Sequence, residues 1–514
     1  MSLPRAPVRD TAWRPDRGAA AAALLILTAS LLIIALPVPI SAGVLVAPIG
    51  AIALIAYPVL IPVALIASVP VQDAIPVPES IPITATRIAS LATVAVLPFI
   101  LARRRIPVRW SWFLLAVLLL MATMVLSLWN AEFLNPGYAE LYRWFVALAT
   151  FWIVLQFIRT ERQIMLMIGL TGLLVLAQGG IGIVQALIGA GPASFQLDGG
   201  FSRSFGSFGM PNSFAAYMEV ATLPLIPIAV LLGQRAVDSW RDYRLARLRG
   251  FLPSSDERHS MLLNIALFAL IASSAVVGLA AIALSFSRGG WLGTIAAVVV
   301  IVILLGRRAL FLSALSAIVL AIAFMATAPG AVVGEVQERF EQLVDQVQIG
   351  DVRRVPVTDE NFAVIERMSH WQTAVAMWDE HPWIGVGIGN YNERFTEFAV
   401  HPQFVESQGH AHNYYLHMLA ETGVVGLLVY LGFLIAALVV GWRAFKSPDR
   451  LARALGIGAI GMTTALIVHN VFENLHVLNI SMHMMLVWAL AFIATWRATS
   501  AHPGTDSTLP ETGR

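Results

Sequence analysis

Three histidines lie close together in the last third of the chain, where a polar segment runs into an apolar one. They are His410, His412 and His417, in the sequence HAHNYYLHMLAETGVVGLLVYL. An imidazole has a pKa near neutrality, so histidine is the natural base for taking a proton from a hydroxyl group. Polar groups at the entrance of an apolar span are costly unless they are used. We therefore predict that His412 is a catalytic base and that Asn413 and Tyr414 contact substrate.

Two other functions remain open for these histidines. A histidine at such a position is ordinarily a hydrogen-bonding residue at the start of a helix, and His412 could be one. Three imidazoles also suggest zinc, since imidazole is a common metal ligand. The spacing His-x-His-x4-His shows no carboxylate partner four residues further along a helix, however. We therefore expect no metal and no other cofactor.

Two arginines lie in short loops that contain no acidic residue beside them. Arg203 begins the glycine-rich segment RSFGSFGMPNS, in which Pro211 and Asn212 are typical of a helix start, and Arg288 lies in SRGG. A guanidinium matches phosphate oxygens with a planar fork and stays charged, and a helix N-terminus favours anions. We predict that Arg203, Arg288 and Asn212 bind an anionic substrate and that Arg288 also acts in catalysis. A topological anchor or a phospholipid contact is the alternative for either arginine.

The composition places these residues in a membrane. Of the 514 residues 58% are hydrophobic and 12% charged, with a net charge of +2, whereas soluble domains carry about 25% charged residues. The chain contains no cysteine, which excludes disulfides, thiolate catalysis and cysteine-ligated metals. The sequence predicts an all-α polytopic membrane protein with about 12 to 14 transmembrane helices.

Apolar windows long enough to span a bilayer alternate with arginine-containing loops. The positive-inside rule places these loops on the cytoplasmic side if each window after residue 109 crosses once. The segments 190–211, 287–290 and 329–412 then lie together on the extracytoplasmic side. The predicted divisions are N-terminal transmembrane helices (1–109), a transmembrane core (110–328), a long extracytoplasmic loop (329–421), C-terminal transmembrane helices (422–496) and a cytoplasmic tail (497–514). The single-pass windows run near 110–129, 138–158, 164–189, 212–233, 260–286, 291–306, 309–328, 422–442, 453–472 and 478–496.

The long loop contains a helical pattern of its own. Apolar residues recur at helical spacing from Ile365 to Trp378, which predicts an amphipathic helix over 361–380. Pro382 and three glycines that follow end it. Long loops in compact proteins are usually functional, so this helix either lies on the membrane surface or covers a site.

Four segments resemble those of the O-antigen ligase and O-antigen polymerase superfamily. They are RSFGSFGMPNSFAAYM, SFSRGGWLG, WQTAVAMWDEHPWIGVGIGNY and HNYYLHMLAETGVVGLLVYL, within residues 200–445. The resemblance implies a GT-C-like membrane glycosyltransferase of the bacterial inner membrane that uses no metal. It would transfer a glycan from an undecaprenyl-diphosphate donor to a glycolipid, glycan or protein acceptor on the extracytoplasmic face, with inversion. Arg203 and Arg288 would hold the diphosphate and His412 would face the acceptor. The long loop carries more acid and less lysine than the resemblance leads one to expect.

Ligase, polymerase and protein O-glycosylation share these motifs, so the alternatives stay open. A multipass transporter is the alternative from another class. Glu219 is a candidate intramembrane acid for it, but no second half of the chain mirrors that residue, as paired transporter repeats would.

Overall fold

The structure, a computed structural model, describes residues 49–72, 84–104, 108–197, 200–249, 251, 254–309, 311, 334, 350–358 and 361–501. Most of the predicted window 309–328 and the tail after residue 501 lie outside these residues. So do most of the first part of the long loop and the N-terminal residues up to 48.

The described residues form an all-α membrane protein, as predicted. They contain no strand beyond one isolated bridge between Gln196 and Ser202. Nine segments among them are long and apolar enough to cross a membrane. The total of 12 to 14 includes windows outside the described residues and stays a prediction. The helices are α1 (Leu60–Ser68), α2 (Ala85–Arg104), α3 (Trp112–Ser127), α4 (Leu134–Phe157), α5 (Glu161–Leu187), α6 (Pro211–Thr222), α7 (Leu225–Leu248), α8 (Ser255–Leu284), α9 (Arg288–Leu305), α10 (Phe362–Glu380), α11 (Tyr391–Phe398), α12 (Tyr414–Phe445), α13 (Arg450–His469) and α14 (Ser481–Ala501).

Contacts divide the chain into two compact units. The smaller consists of 1–60 and 91–105, and the larger of 61–90 and 106–514. In the smaller unit, Ile52, Ile55, Ala56 and the end of α2 line a mostly apolar cavity of about 420 Å³. All the predicted site residues lie in the larger unit.

Helix α13 is the central helix of the larger unit and is buried along most of its length. It packs against α9, α12, α7 and α14. Small residues permit this close approach: a Cβ on Gly456 would overlap the backbone of α12, and one on Gly461 would overlap Ile301 of α9. Because α13 is held on several sides, the loop that follows it has a fixed position.

Helix α7 includes an arginine-rich stretch that the sequence pattern placed in a loop after the membrane span. Its helical backbone continues from Leu225 to Leu248, whereas the sequence pattern ended the predicted span near residue 233. The stretch 235–248 is thus a helical extension of a membrane span. Its charge still lies at one end of the span.

The predicted amphipathic helix 361–380 is confirmed as α10. Its buried side differs from the predicted apolar stripe, because Val375 is 40% exposed while His370, Ser369 and Thr373 are buried. Two apolar clusters explain this: Met368 packs with Val352 and Phe404, and Met377 with Val386, Tyr391 and Phe395. Helix α10 is therefore enclosed by its own loop, with polar side chains turned inward.

Helix α12 is interrupted at Gly423, where φ is 65° and ψ is −169°. The interruption frees backbone groups on both sides, and residues 382–387 bond to them. Val424 N and Val425 N donate to the carbonyl oxygens of Pro382 and Trp383 at 2.9 and 3.2 Å. Val386 N and Gly387 N donate to the carbonyls of Ala420 and Glu421 at 2.9 and 3.0 Å. A segment of the long loop thus completes the hydrogen bonding of a broken membrane helix.

Candidate active site

Four segments that are far apart in sequence meet at one end of the helices. They are the glycine-rich loop before α6, the turn before α9, the residues that lead into α12, and the loop 470–480 between α13 and α14. Arg203 Nε donates to the Ser285 carbonyl at 2.9 Å, which joins the first two. Asn212 Nδ2 donates to Glu473 Oε2 at 2.6 Å, which joins the first to the last. The structure thus brings together both predicted arginine loops and the histidine segment.

Glu473 is the centre of this arrangement. Its side chain is 7% exposed, and its Oε1 lies 3.1 Å from His410 Nε2 and 3.4 Å from His412 Nδ1. Burial disfavours the charged carboxyl, but His410, His412 and the nearby Arg367 together hold the pKa of Glu473 well below its usual range. A carboxylate that accepts hydrogen bonds and faces imidazoles is favoured in its charged form. Glu473 is therefore a buried anion at neutral pH.

Arg203 and Asn212 form the second half of the site. Arg203 Nη2 donates to Asn212 Oδ1 at 3.1 Å, while the amide nitrogen of Asn212 binds Glu473. Asn212 is in the first turn of α6, directly after Pro211. A continuous line of contacts therefore runs from the Arg203 guanidinium through Asn212 and Glu473 to His412.

Arg288 lies at the start of α9, and its side chain is buried. The hydroxyl of Ser287 caps this helix by accepting from Gly290 N at 3.3 Å. A Cβ on Gly289 would overlap the ring of His469, and it would also contact Phe472. Because His469 ends α13, the Arg288 turn is packed directly against the loop that carries Glu473.

A fully buried pair supports this contact from inside the membrane region. His469 Nδ1 lies 2.5 Å from Glu219 Oε2, and both side chains are 0% exposed. Thr294 of α9 donates to the other carboxylate oxygen of Glu219 at 3.1 Å. Glu219, the candidate intramembrane acid of the transporter alternative, thus joins α6, α9 and α13 behind the site.

His412 occupies an unusual backbone position, with a positive φ of 49°. Its ring lies edge-on to the rings of His410 and His370, with centroids 4.4 and 5.3 Å apart. The carbonyl of His412 accepts from Trp371 Nε1 at 3.3 Å. The imidazole is 16% exposed, so it is held from several sides but remains accessible.

Asn413 and Tyr414 position the histidine segment. Asn413 Oδ1 caps α12 by accepting from Tyr415 N and Leu416 N at 3.0 and 3.1 Å. The buried ring of Tyr414 lies 4.6 Å from the ring of His476, and Tyr414 N donates to the Asn470 carbonyl at 2.8 Å. These contacts favour a positioning role for both residues, and their predicted contact with substrate stays a prediction.

Helix α10 covers the histidine segment. Besides Trp371, it places His370 beside His412, and it places Arg367 close enough to help to lower the pKa of Glu473. Burial, with His412 and His410 nearby, lowers the pKa of His370 to about 3. His370 is therefore neutral, and its Nδ1 is bonded to the hydroxyl of Tyr391 at 3.1 Å.

The histidines have carboxylate partners, contrary to the sequence-based expectation. Glu421 follows His417 by four residues on α12, with 3.5 Å between His417 Nε2 and Glu421 Oε2. The ligand atoms of His410, His412 and Glu473 also lie within 4.8 Å of one another, close enough to surround a cation. The sequence argument against a metal, the lack of a carboxylate partner, is therefore wrong. The expectation of a metal-free site is tested by a chelator experiment.

The most important residue that the sequence analysis missed is Glu473. It lies in the segment HNVFENLH, between two predicted spans. Five polar side chains within eight residues could have marked this short loop, because polar groups are costly between two membrane spans unless they are used. Arg367, His370 and Glu421 were also missed, because they lie within helices where only the apolar spacing was considered.

Comparison with known families agrees with the geometry. Residues 273–431 match the family model of the O-antigen ligase, a range that contains Arg288, α10 and His412. No curated protein matches the chain. This part of the multi-pass membrane protein is therefore similar to the O-antigen ligase family.

Proposed function

We propose that the protein is a membrane glycosyltransferase of the ligase type. It moves a glycan from an undecaprenyl-diphosphate donor to an acceptor hydroxyl on the extracytoplasmic face of the bacterial inner membrane. The observation that carries this proposal is the line of contacts Arg203–Asn212–Glu473–His412. It places a group suited to phosphate and a group suited to a hydroxyl in one connected site.

The donor end of the site is cationic. Loss of the lipid diphosphate leaves negative charge on phosphate oxygens, and guanidinium groups stabilise such charge where it develops. Arg203 is already oriented by the Ser285 carbonyl and by Asn212. Arg288 lies on the adjoining turn, which is fixed against α13. Fixed donors require little reorganisation during the reaction, and this favours a metal-independent departure of the diphosphate.

The acceptor end contains the base. His412 takes the proton from the acceptor hydroxyl as its oxygen forms a bond to the anomeric carbon. The bond from that carbon to the diphosphate oxygen breaks, and its electron pair stays on the diphosphate. Glu473 stabilises the imidazolium that results and orients the ring, as a carboxylate does beside a catalytic histidine elsewhere. One direct displacement inverts the configuration at the anomeric carbon.

The acceptor distinguishes a ligase from a polymerase. A ligase uses a glycolipid acceptor, whereas a polymerase of the same superfamily uses a second lipid-linked glycan with the same chemistry. The described part of the long loop covers His412 through α10, so its exposed surface is where acceptors would be distinguished.

The test is a transfer assay with purified protein in detergent and an undecaprenyl-diphosphate-linked glycan. His412→Gln keeps hydrogen bonding but cannot accept a proton at neutral pH, so transfer should fall by about 10²–10⁴-fold. His381→Gln is the matched control, because His381 is in the same loop and its ring pairs with its neighbour Glu380. Full activity of His412→Gln would disprove the role of base.

Two further arms separate the alternatives. Activity unchanged in EDTA agrees with a metal-free site, whereas loss that zinc or magnesium restores would assign His410, His412 and Glu473 to a metal. Movement of the donor across vesicles without transfer would favour the transporter.

A further inference from the structure

A large groove opens at the end of the helices opposite the candidate active site. Its volume is about 970 Å³, and it lies between α7, the end of α9, the end of α12 and the start of α13. Helix α12 begins beside His412 and ends at Phe445, and its 32 residues span about 48 Å at 1.5 Å per residue. The groove and the candidate active site therefore lie at opposite ends of α12.

The groove has an apolar wall and a basic rim. The wall consists of aliphatic side chains, among them Leu231, Leu304 and Ile457. The rim carries Lys446, Arg450 and Arg453. Amphipathic surroundings of this kind match a molecule with a charged head and hydrocarbon tails.

The rim has an excess of positive charge. Asp238 is the only acidic residue among those that line the groove, and Arg450 Nη1 is a loose 4.0 Å from its carboxylate, with both side chains more than 60% exposed. Asp449, adjacent in sequence, caps α13 by accepting from Ala452 N at 2.7 Å. Arg453 bonds to the Ser447 carbonyl at 3.3 Å, which holds its guanidinium near the ends of the two helices.

The position is that of a membrane–water boundary. The ammonium group of Lys446 lies 4.8 Å from the ring centroid of Trp442, a residue that is 49% exposed. Aromatic residues and cations at the ends of spans are typical of the interfacial layer, where phosphate head groups are found.

We propose that this groove binds one anionic phospholipid. Its phosphate lies between Lys446, Arg450 and Arg453, and an acyl chain lies along the aliphatic wall. Basic pockets between transmembrane helices recognise anionic head groups in this manner. The lipid would hold α7, α9, α12 and α13 together at the end of the bundle opposite the candidate active site.

The experiment is native mass spectrometry of the full chain, with thermal unfolding measured in parallel. The protein is titrated with phosphatidylglycerol, phosphatidylcholine or inorganic phosphate in the same detergent. We expect one phosphatidylglycerol to be retained and the unfolding temperature to rise, with neither effect from phosphatidylcholine. Inorganic phosphate alone should stabilise much less, because it cannot use the apolar wall.

The matched variants remove equal charge. The triple variant Lys446→Gln, Arg450→Gln, Arg453→Gln should bind phosphatidylglycerol at least about tenfold more weakly, since each cation near a head group contributes to binding. The control Arg241→Gln, Arg244→Gln, Arg247→Gln removes three exposed cations of α7 that do not line the groove and should bind as the wild type does. If the triple variant does not fold, the exposed single variants Lys446→Gln and Arg450→Gln should each weaken binding several-fold.

Three results would overturn the proposal. They are equal binding of phosphatidylcholine, equal stabilisation by inorganic phosphate, and undiminished phosphatidylglycerol binding by the variants that lose rim charges. None of these measurements depends on glycan transfer, so they stand apart from the proposed activity.

Discussion

Glu473→Gln tests the central contact of the candidate active site with the smallest change in shape. The glutamine fills the same space but carries no charge and replaces one acceptor oxygen with a donor NH₂ group. The carboxylate faces Asn212 Nδ2 at 2.6 Å, His410 Nε2 at 3.1 Å and His412 Nδ1 at 3.4 Å. At least one of these three nitrogen atoms faces the NH₂ group instead of an oxygen in the variant.

The size of the effect follows from the kind of contact that is lost. A hydrogen bond to a charged group contributes about 1.5–3 kcal/mol. In the proposed reaction the interaction of Glu473 with His412 strengthens as the imidazole becomes charged, so most of the loss falls on the transition state. With about 1.4 kcal/mol per factor of ten, transfer should fall about 10- to 150-fold.

The assay is the initial rate of glycan transfer as a function of acceptor concentration. Because the stabilisation is made in the transition state, kcat should fall while KM for the acceptor changes little. Glu406→Gln is the matched control, since Glu406 is an exposed glutamate in the loop that leads to His412. A Glu473→Gln protein that is folded and transfers at the wild-type rate would refute the role given to Glu473. An effect confined to KM would reduce it to an acceptor-binding contact.

Three further predictions follow from the packing, the titration and the donor end of the site. Gly423→Ala should destabilise the protein by about 2 kcal/mol or more, because only glycine readily adopts this backbone conformation and a Cβ would overlap the Trp383 carbonyl. Gly432→Ala is the control: a Cβ there would meet nothing within 4 Å, so the unfolding temperature should be unchanged or higher. The unfolded chain protonates His370 below about pH 6.5, while the folded chain does not until about pH 3. The protein therefore loses stability as the pH falls through this window, by about 2 kcal/mol at pH 5 from His370 alone. His370→Gln should reduce the loss of unfolding temperature between pH 7 and 5, and an unchanged pH profile would contradict the neutral buried state. Arg288→Lys keeps the charge but loses the planar fork, so transfer should fall at least about tenfold with insertion intact, and equal rates for the two proteins would remove Arg288 from the proposed diphosphate site.

The parts of this structure that could be predicted are those with a local signal. The boundaries of α10 follow from apolar spacing and from Pro382, and the meeting of the Arg203 loop with the histidine segment follows from charge alternation along the spans. Hydropathy identified the membrane class because spanning helices satisfy their backbone groups within one continuous segment.

The rest depends on contacts between distant residues. Asn212 and Glu473 are 261 residues apart, and no periodicity relates them. The buried side of α10 was also mispredicted, because its neighbours are loop residues of the same chain. The glycines 385, 387 and 389 were interpreted as helix terminators, whereas each has a positive φ and lies against the backbone or side chains of another segment. Sequence alone does not distinguish a glycine that ends a helix from one that permits such an approach.

The interruption of α12 bears on how this protein could be recombined with relatives. Hydrogen bonding ties residues 420–425 of α12 to the loop segment 382–387, so these bonds cross the boundary that hydropathy places at residue 422. An exchange of loops that cut at the predicted membrane boundary would keep Gly423 but replace the backbone that fills the gap beside it.

A cassette that runs from residue 361 to residue 425 would instead transfer α10, His412, the interruption and its complement together. Acceptor preference would then be exchangeable as one piece, while Glu473 and both arginines would stay with the recipient. Whether a chimera transfers glycan would depend on how well a foreign His412 meets the resident Glu473.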